Sequence, residues 1–334
     1  MKTKKSLIAT VLSAIMAISF AGCGSTSSSS DLSSSQPKSE SADKKFTVGI
    51  CQLTQHPSLD SATKGFMDAI EKALPGQVEF DLQNASNDIP TCGVICNGFA
   101  ASNVDLILAN ATPSLQAAAA STVEIPILGT AVTEYGVALD LENFNGTVGG
   151  NISGTCDLAP LDQQAGIITE LLPQAKKVGI LYCSAEANSV YQAHVVQETL
   201  EKAGITVTNY TFSDSNDVSA VTATACSEND AIYIPTDNTA ALCAAAINNV
   251  AGPTGTPIVS GDADTCRQCG IASFCIDYYE LGRITGEMAV DILKGEKNIS
   301  EMPIQYYDKP VKMYNKAISS SLNIEIPESY TSLD

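Results

Sequence analysis

The chain is poor in basic residues. It has 18 Lys and Arg against 37 Asp and Glu in 334 residues, which gives a formal charge of −19 at pH 7. So acidic a chain excludes a nucleic-acid partner and broad contact with anionic lipid. Histidine is scarcer still, because only His56 and His194 are present. A zinc site built from closely spaced His and Cys ligands is therefore disfavoured, and no metal is expected.

Catalytic motifs are also missing. The chain has no G-x-S-x-G elbow, no G-x-x-x-x-G-K-[ST] loop and no G-x-G-x-x-G turn. Neither histidine lies near a Cys or Ser in a known nucleophile motif, so His194 is interpreted as structural. We expect no cofactor and no enzymatic activity. An exported enzyme stays open as an alternative, and loss of turnover on mutating Asp237 would support it.

The apolar run near the N-terminus, residues 7–20, is too short to span a bilayer, which takes roughly 20 residues. It follows three lysines and precedes Ala-Gly-Cys, which is typical of a bacterial export signal. Cys23 resembles the lipid-bearing cysteine of bacterial lipoproteins, although Phe20 replaces the commoner Leu. We therefore predict a signal peptide over residues 1–22, a lipid on Cys23 and a location on the outer face of the cell membrane. An ordinary secretory signal with a chance cysteine is the alternative.

Ten cysteines remain of eleven once Cys23 is set aside. Two pairs are closely spaced in sequence, Cys92 with Cys96 and Cys266 with Cys269. A disulfide at the second pair or a metal site is an alternative, but a large ordinary core makes unpaired thiols the expectation.

From residue 46 onward, short apolar runs alternate with amphipathic stretches, after a Ser-rich segment predicted to be a flexible tether (residues 23–45). Strands are predicted at 46–53, 77–82, 105–109 and 125–129, and again at 177–182, 205–210, 230–234 and 257–260. Helices are predicted between them at 58–74, 89–102, 113–121, 158–172, 187–203, 218–227 and 239–251. The pattern predicts an α/β fold of two doubly wound, Rossmann-like lobes with parallel sheets.

A strand at 271–275, a helix at 278–294 and a mixed tail follow the second half. They are too few for a third domain, so the chain crosses between lobes more than once, which favours a multi-strand hinge. We predict one lobe from residues 46–153 and 274–299, and the other from residues 154–273 and 300–334.

Polar loops follow the predicted strands, and open α/β sheets bind ligands beyond the carboxyl ends of their strands. The first half offers hydroxyl and helix N–H donors suited to a carboxylate. The second half offers acceptors suited to an ammonium group. The predicted ligand-binding residues are Gln55, His56, Thr112, Ser114, Thr130, Ala131, Glu186, Asn188, Asp237, Asn238 and Asp262. The alternative is that Thr112, Asp237 and Asn238 only cap helices.

Six segments together resemble the substrate-binding lipoproteins of bacterial ABC importers, in the type I periplasmic-binding-protein class and near its tryptophan- and aromatic-amino-acid-binding members. They are HPSLD (56–60), VDLI with ATP (104–107 and 111–113), ISGTCD (152–157), SAEANS (184–189), TDNT (236–239) and DYYELG (277–282). The resemblance implies a monomeric, two-lobed clamp that closes on one small solute and docks on a membrane permease. Cys156 departs from the commoner Ser.

The solute expected from the two sets of loops is a small zwitterion, and the resemblance points to an aromatic amino acid such as tryptophan, phenylalanine or tyrosine. Tyr135 and Tyr278 are candidates for the wall of the pocket. An aliphatic amino acid, a peptide fragment or a nucleoside remains open as the solute. A sensor that presents its closed form to a membrane signalling protein is a further alternative.

Overall fold

The computed structural model describes residues 45–333. The predicted signal peptide (1–22), Cys23 and the tether up to residue 44 lie outside the described residues. Within residues 45–333, no helix is both long and apolar enough to cross a membrane.

The first sheet has the strand order β11-β5-β4-β3-β1-β2, and every neighbouring pair is parallel. Its strands are β1 (Phe46–Gln52), β2 (Val78–Asn84), β3 (Leu106–Asn110), β4 (Ile127–Val132), β5 (Ile152–Cys156) and β11 (Gln305–Tyr306). Its helices are α1 (Pro57–Ala73), α2 (Ile89–Ser102), α3 (Thr112–Ser121), α4 (Tyr135–Ala138) and α11 (Tyr278–Leu293), and a 3₁₀ turn spans Ile299–Glu301.

The second sheet has the order β13-β12-β10-β9-β8-β6-β7, in which only the β10–β12 pair is antiparallel. Its strands are β6 (Lys177–Cys183), β7 (Thr206–Phe212), β8 (Ala231–Ile234), β9 (Ile258–Ser260), β10 (Ala272–Cys275), β12 (Val311–Tyr314) and β13 (Thr331–Ser332). Its helices are α5 (Leu161–Leu171), α6 (Ala187–Lys202), α7 (Val218–Glu228), α8 (Asn238–Leu242), α9 (Ala244–Thr254), α10 (Ala263–Cys269) and α12 (Lys316–Ser321).

The central strands are buried on both faces, as continuous apolar runs require. Every residue of β3 (LILAN) and of β8 (AIYI) is buried. Helices cover both sides of each sheet, so the predicted α/β fold of two doubly wound lobes is confirmed. The helix predicted at 239–251 is instead two helices, α8 and α9, which meet at Cys243.

Helix α11 follows strand β10 of the second sheet in sequence but packs on α1 of the first lobe. Glycines make this close crossing possible, because a Cβ on Gly282 would lie 1.9 Å from the Ala62 carbonyl oxygen. A Cβ on Gly65 would lie 2.0 Å from the Tyr279 carbonyl oxygen. The two helix backbones therefore meet directly, which fixes the return of the chain to the first lobe.

The chain changes sheet three times, as a multi-strand hinge requires: between β5 and α5, between β10 and α11, and between β11 and β12. Strand pairing keeps β5 on the first sheet through Cys156 and β11 through Tyr306, and keeps β10 on the second sheet through Cys275. Each change of sheet therefore lies a few residues beyond the boundaries predicted at 153, 273 and 299.

Candidate functional site

A cavity lies between the two lobes, where the carboxyl ends of their strands face each other. Its lining side chains nearly fill it, and the cavity volume is only about 10 Å³. The lining residues are His56, Ser58, Leu59, Ala131, Thr133, Asp157, Asn188, Thr236, Asp237, Asn238, Ala241, Asp262 and Tyr278. This is where open parallel sheets bind ligands.

Six of the predicted ligand-binding residues come together here: His56, Ala131, Asn188, Asp237, Asn238 and Asp262. Gln55 is exposed and lines a separate groove with Asp60 and Lys64. Thr112, Ser114, Thr130 and Glu186 are buried but are not among the lining residues.

The three hydroxyl residues of that set are buried in the first lobe. Ser114 Oγ accepts a hydrogen bond from Cys51 Sγ at 3.7 Å. Thr130 Oγ1 accepts from Thr155 at 3.3 Å and from Thr285 at 3.2 Å. Thr112 Oγ1 is buried without a hydrogen-bond partner. Their position after a strand was predictable, but the direction of each side chain was not.

The sequence did not single out Ser58, Thr133, Asp157 or Thr236 as ligand-binding residues. Ser58, Thr133 and Thr236 stand in the same polar loops as the predicted residues, so the loop pattern was an available signal for them. Asp157 lies in the first crossover, just after β5, and ends the segment ISGTCD (152–157), so the family resemblance was an available signal for it.

Of the two wall candidates, Tyr278 lines the cavity, whereas Tyr135 is buried in the first lobe and donates to the Thr155 carbonyl at 3.0 Å. Cys156 is buried beside the crossover, and its Sγ donates to the Thr133 carbonyl at 3.0 Å.

Asp157 is fully buried and is held by two hydroxyl groups. Thr133 Oγ1 donates to its Oδ1 and Tyr278 Oη donates to its Oδ2, each at 2.9 Å. Burial raises the pKa of the Asp157 carboxyl to about 6, although both hydroxyl bonds favour the charged form. Burial also raises the pKa of Tyr278, which keeps its hydroxyl a donor.

Asp237 caps a helix and ties two loops of the second lobe together. Its carboxylate accepts from the backbone N–H groups of Ala240 and Cys183, each at 2.7 Å. Burial, together with the neighbouring Glu186, raises its pKa. Both carboxylate oxygens therefore already accept hydrogen bonds within the second lobe, as the capping alternative predicts.

Asp262 is different, because only one of its oxygens is used. Oδ1 accepts from the backbone N–H groups of Asp264 at 3.0 Å and Thr265 at 2.9 Å. Oδ2 is buried without a hydrogen-bond partner. Burial raises the pKa of Asp262, and hydrogen bonding by Thr265 and, to a lesser extent, the nearby His56 oppose that rise.

Two further lining residues carry buried polar atoms without a partner, namely His56 Nδ1 and Asn188 Oδ1. Buried polar atoms are nearly always hydrogen-bonded, so three such atoms around one cavity indicate that something polar binds there. The lining residues include three carboxyl groups and no Lys or Arg. The cavity therefore favours a ligand with a cationic or donor group.

The backbone is strained where β4 ends in the cavity. Ala131 has a φ of +52°, and Ala111, at the end of the neighbouring β3, has a φ of +91°. Such conformations are unfavourable for residues with a Cβ and cluster at binding sites.

Three hydrogen bonds cross from one lobe to the other around this cavity. His56 Nε2 lies 3.3 Å from Asn238 Oδ1, Ser58 Oγ donates to Asp264 Oδ2 at 2.8 Å, and Asn87 Nδ2 donates to Thr239 Oγ1 at 3.1 Å. The lobes are therefore closed on each other in this structure.

The described cysteines do not form disulfides, and all except the half-buried Cys243 are buried. Cys92 and Cys266 are each fully buried free thiols. Within residues 45–333, no group of three or more His, Cys, Asp or Glu residues is arranged to hold a metal ion.

Comparison with known proteins gives a consistent family. The sequence model described as ABC transporter substrate binding protein matches residues 47–333. The chain is 33% identical over 331 residues to a protein of Clostridioides difficile (strain R20291) named tyrosine-binding protein, a match that covers 97% of this chain and 94% of that protein.

Two solved structures extend this similarity. An ABC domain from Streptococcus pneumonia in complex with L-Trp shares 32% identity and a TM-score of 0.82, covering 86% of this chain and 97% of that one. The ligand-free, open structure of a substrate-binding protein with adhesive properties from Clostridium difficile shares 34% identity but a TM-score of 0.66, covering 86% and 99%. At similar identity, the overall shape thus matches the ligand complex better than the open form.

Proposed function

Since this chain belongs to the ABC transporter substrate-binding protein family, we propose that it captures an aromatic amino acid between its lobes and delivers it to a membrane permease. The proposal extends the family assignment to a ligand and to the residues that bind it.

The observation that carries the ligand class is Asp262 Oδ2, a buried carboxylate oxygen without a partner in a cavity free of Lys and Arg. An ammonium group donates up to three hydrogen bonds and would satisfy this oxygen. Asn188 Oδ1, also without a partner, is a second acceptor within the same lining.

The carboxylate of the ligand is proposed to face the first lobe. Ser58 and Leu59 form the first turn of α1, whose N-cap residue His56 makes no side-chain capping bond. The backbone N–H groups of that first turn have no partner within the helix and carry a partial positive charge, which suits a carboxylate. Ala131 and Thr133 line the same side of the cavity.

Relatives support the aromatic side chain. One is named tyrosine-binding protein, and one solved structure holds L-Trp. Leu59, Ala241 and the ring of Tyr278 supply apolar lining for such a side chain. Because little space is left in the closed form, we infer that the lobes open to admit the ligand and close on it, so that the ligand stabilises the closed form.

The proposed function is tested by titrating amino acids into protein that has been unfolded to remove any bound ligand and then refolded. We expect L-tyrosine, L-tryptophan or L-phenylalanine to bind more tightly than roughly 100 μM, or about −5.5 kcal/mol, in calorimetry. L-Leucine and a nucleoside, measured in parallel, serve as controls of class. If none of the aromatic amino acids binds at that level, the ligand assignment is wrong.

We propose that a lipid attached to Cys23 holds the protein at the outer face of the cell membrane. The signal at 1–22 precedes this cysteine, and the tether at 23–45 joins it to the lobes. Short tethering raises the effective concentration of the protein at its permease. A Cys23→Ser variant should leave the membrane fraction and still bind its ligand, and retention of that variant on membranes would contradict the anchor. We further propose that the protein acts as a monomer and returns its ligand chemically unchanged.

A further inference from the structure

One buried carboxylate beside the cavity is not among the groups proposed to contact the ligand, although its Oε2 accepts from Asn188 Nδ2 at 3.3 Å. Glu186 is only 2% exposed, although it is not among the lining residues of the cavity. Its Oε2 accepts from Asn238 Nδ2 at 2.7 Å and from the Asn238 N–H at 3.1 Å. Its Oε1 accepts from Thr239 Oγ1 at 2.8 Å and from the Thr239 N–H at 2.9 Å.

The two residues that Glu186 holds are the same two that reach the first lobe. Asn238 Oδ1 contacts His56 Nε2 at 3.3 Å, and Thr239 Oγ1 accepts from Asn87 Nδ2 at 3.1 Å. Glu186 is thus hydrogen-bonded to the second-lobe residue in two of the three hydrogen bonds that join the lobes around the cavity.

The chemistry of Glu186 fixes the direction of both bonds. An ionised carboxylate can only accept, so the amide nitrogen of Asn238 must face it and the amide oxygen must face His56. The hydroxyl of Thr239 has a single proton, which goes to Glu186, so its oxygen is left to accept from Asn87. His56 Nε2 must then carry the proton of the bond to Asn238 Oδ1.

We propose that Glu186 is the positioning residue of a latch, formed by Asn238 with His56 and by Thr239 with Asn87, that stabilises the closed form and slows release of the ligand. The proposal rests on the proposed function, since ligand release is what the latch controls. Because the latch forms only when the lobes meet, it affects dissociation and leaves association nearly unchanged.

Release of L-tryptophan tests the latch. The chain contains no Trp, so indole fluorescence in a stopped-flow instrument reports the ligand alone. Asn87→Ala removes one latch bond and should speed dissociation about two- to tenfold, the range for one neutral hydrogen bond. Asn103→Ala is the matched control, because Asn103 shares the lobe and the left-handed backbone (φ +51° against +63°) and bonds only within its lobe.

Glu186→Gln tests the positioning role. Glutamine keeps one acceptor but presents an NH₂ group where the carboxylate accepted, so it cannot orient both Asn238 and Thr239. We expect dissociation to speed by at least as much as in Asn87→Ala, with association within about twofold of the wild type. Adding Asn87→Ala to Glu186→Gln should give less than the product of the two effects, because both changes act on the same bond.

The imidazole nitrogens of His56 give a signature that a purely structural role would not change. The His194→Gln substitution removes the other histidine, so that the imidazole ¹⁵N signals come from His56. In the L-tryptophan complex these signals should show the proton on Nε2 when Glu186 is intact, and a shift of the proton toward Nδ1 in the Glu186→Gln variant. Unchanged dissociation in both Asn87→Ala and Glu186→Gln would overturn the latch, as would equal acceleration in Asn103→Ala or an unchanged His56 tautomer.

Failure of the proposed function would look different, because wild-type protein would then bind neither L-tryptophan nor L-tyrosine. In that case the latch is tested by the radius of gyration of the ligand-free protein, measured by small-angle scattering. Asn87→Ala and Glu186→Gln should both increase the radius of gyration relative to the wild type and Asn103→Ala, and an unchanged radius would overturn the proposal.

Discussion

The hydroxyl of Tyr278 donates a 2.9 Å hydrogen bond to Oδ2 of Asp157, and this bond joins two of the segments that connect the lobes. Asp157 lies just after β5, in the first crossover, and Tyr278 begins α11 directly after the second. Both residues also line the cavity. The carboxylate that hydrogen-bonds these two connecting segments together is therefore also part of the cavity lining.

Tyr278→Phe should lower the free energy of unfolding by about 1–3 kcal/mol, because it leaves the buried Asp157 with one hydroxyl partner instead of two. Urea denaturation measures this. Tyr279→Phe is the control, since its hydroxyl donates at 2.9 Å to Asp68, whose side chain is 43% exposed. We expect that control to stay within about 0.5 kcal/mol of the wild type. Equal losses in the two variants would contradict a special role for the hinge bond.

Asp157 should make stability depend on pH. Its pKa is about 6 in the folded protein against a reference value of 3.8, so the folded state binds the proton more tightly. The stabilisation is present below pH 3.8 and is lost as the pH rises through 6. Relative to Asp157→Asn, the wild type should lose about 3 kcal/mol at most over that range. A wild-type advantage that grows with pH would contradict this sign.

Asp262→Asn should weaken binding of the amino acid by about 10- to 100-fold, because a charged hydrogen bond to the ammonium group becomes a neutral one. Stability should hold, since asparagine caps helices as well as aspartate does. Asp217→Asn is the control, an exposed acid at the start of α7 whose side chain makes no capping bond. Calorimetric titration measures the affinity of both variants for the amino acid. A similar loss of affinity in both would indicate a general effect of charge and would contradict a specific role for Asp262.

Gly282→Ala should destabilise the protein by about 3 kcal/mol or more, because a Cβ there would lie 1.9 Å from the Ala62 carbonyl oxygen. Gly166→Ala, within α5, meets nothing within 4 Å and should stabilise the protein by about 0.5–1 kcal/mol. Both changes improve helix propensity equally, so their difference in thermal unfolding isolates the α1–α11 crossing. A stable Gly282→Ala variant would show that the crossing tolerates separation.

Much of the fold was predictable because local pattern and burial agree. The helix predicted at 89–102 is found at Ile89–Ser102, and the helix predicted at 187–203 at Ala187–Lys202. Helix α10 was missed, because its seven residues are too few to show a helical apolar period. Strand β5 was not predicted, and the boundary between the lobes was placed inside it, at 153. The φ of +148° at Gly154 lets the backbone pass close to Gly129 inside the sheet.

The position of the cavity could be predicted from the sequence, but only some of its lining residues could. Loops after strands gave His56 and Asp262, and both line the cavity; that they bind a ligand stays a prediction. The same reasoning chose Ser114 and Thr130, whose hydroxyls bond inside the first lobe. A sequence shows that a polar residue follows a strand, but the direction of its side chain depends on packing between helices and sheet.

A crystal structure of the protein grown with L-tryptophan tests the central claim most directly. We expect density for the amino acid between the lobes, with its ammonium nitrogen within hydrogen-bond distance of Asp262 Oδ2 and its carboxylate against the first turn of α1. Density outside this cavity, or an amino group that contacts neither Asp262 nor Asn188, would contradict the account.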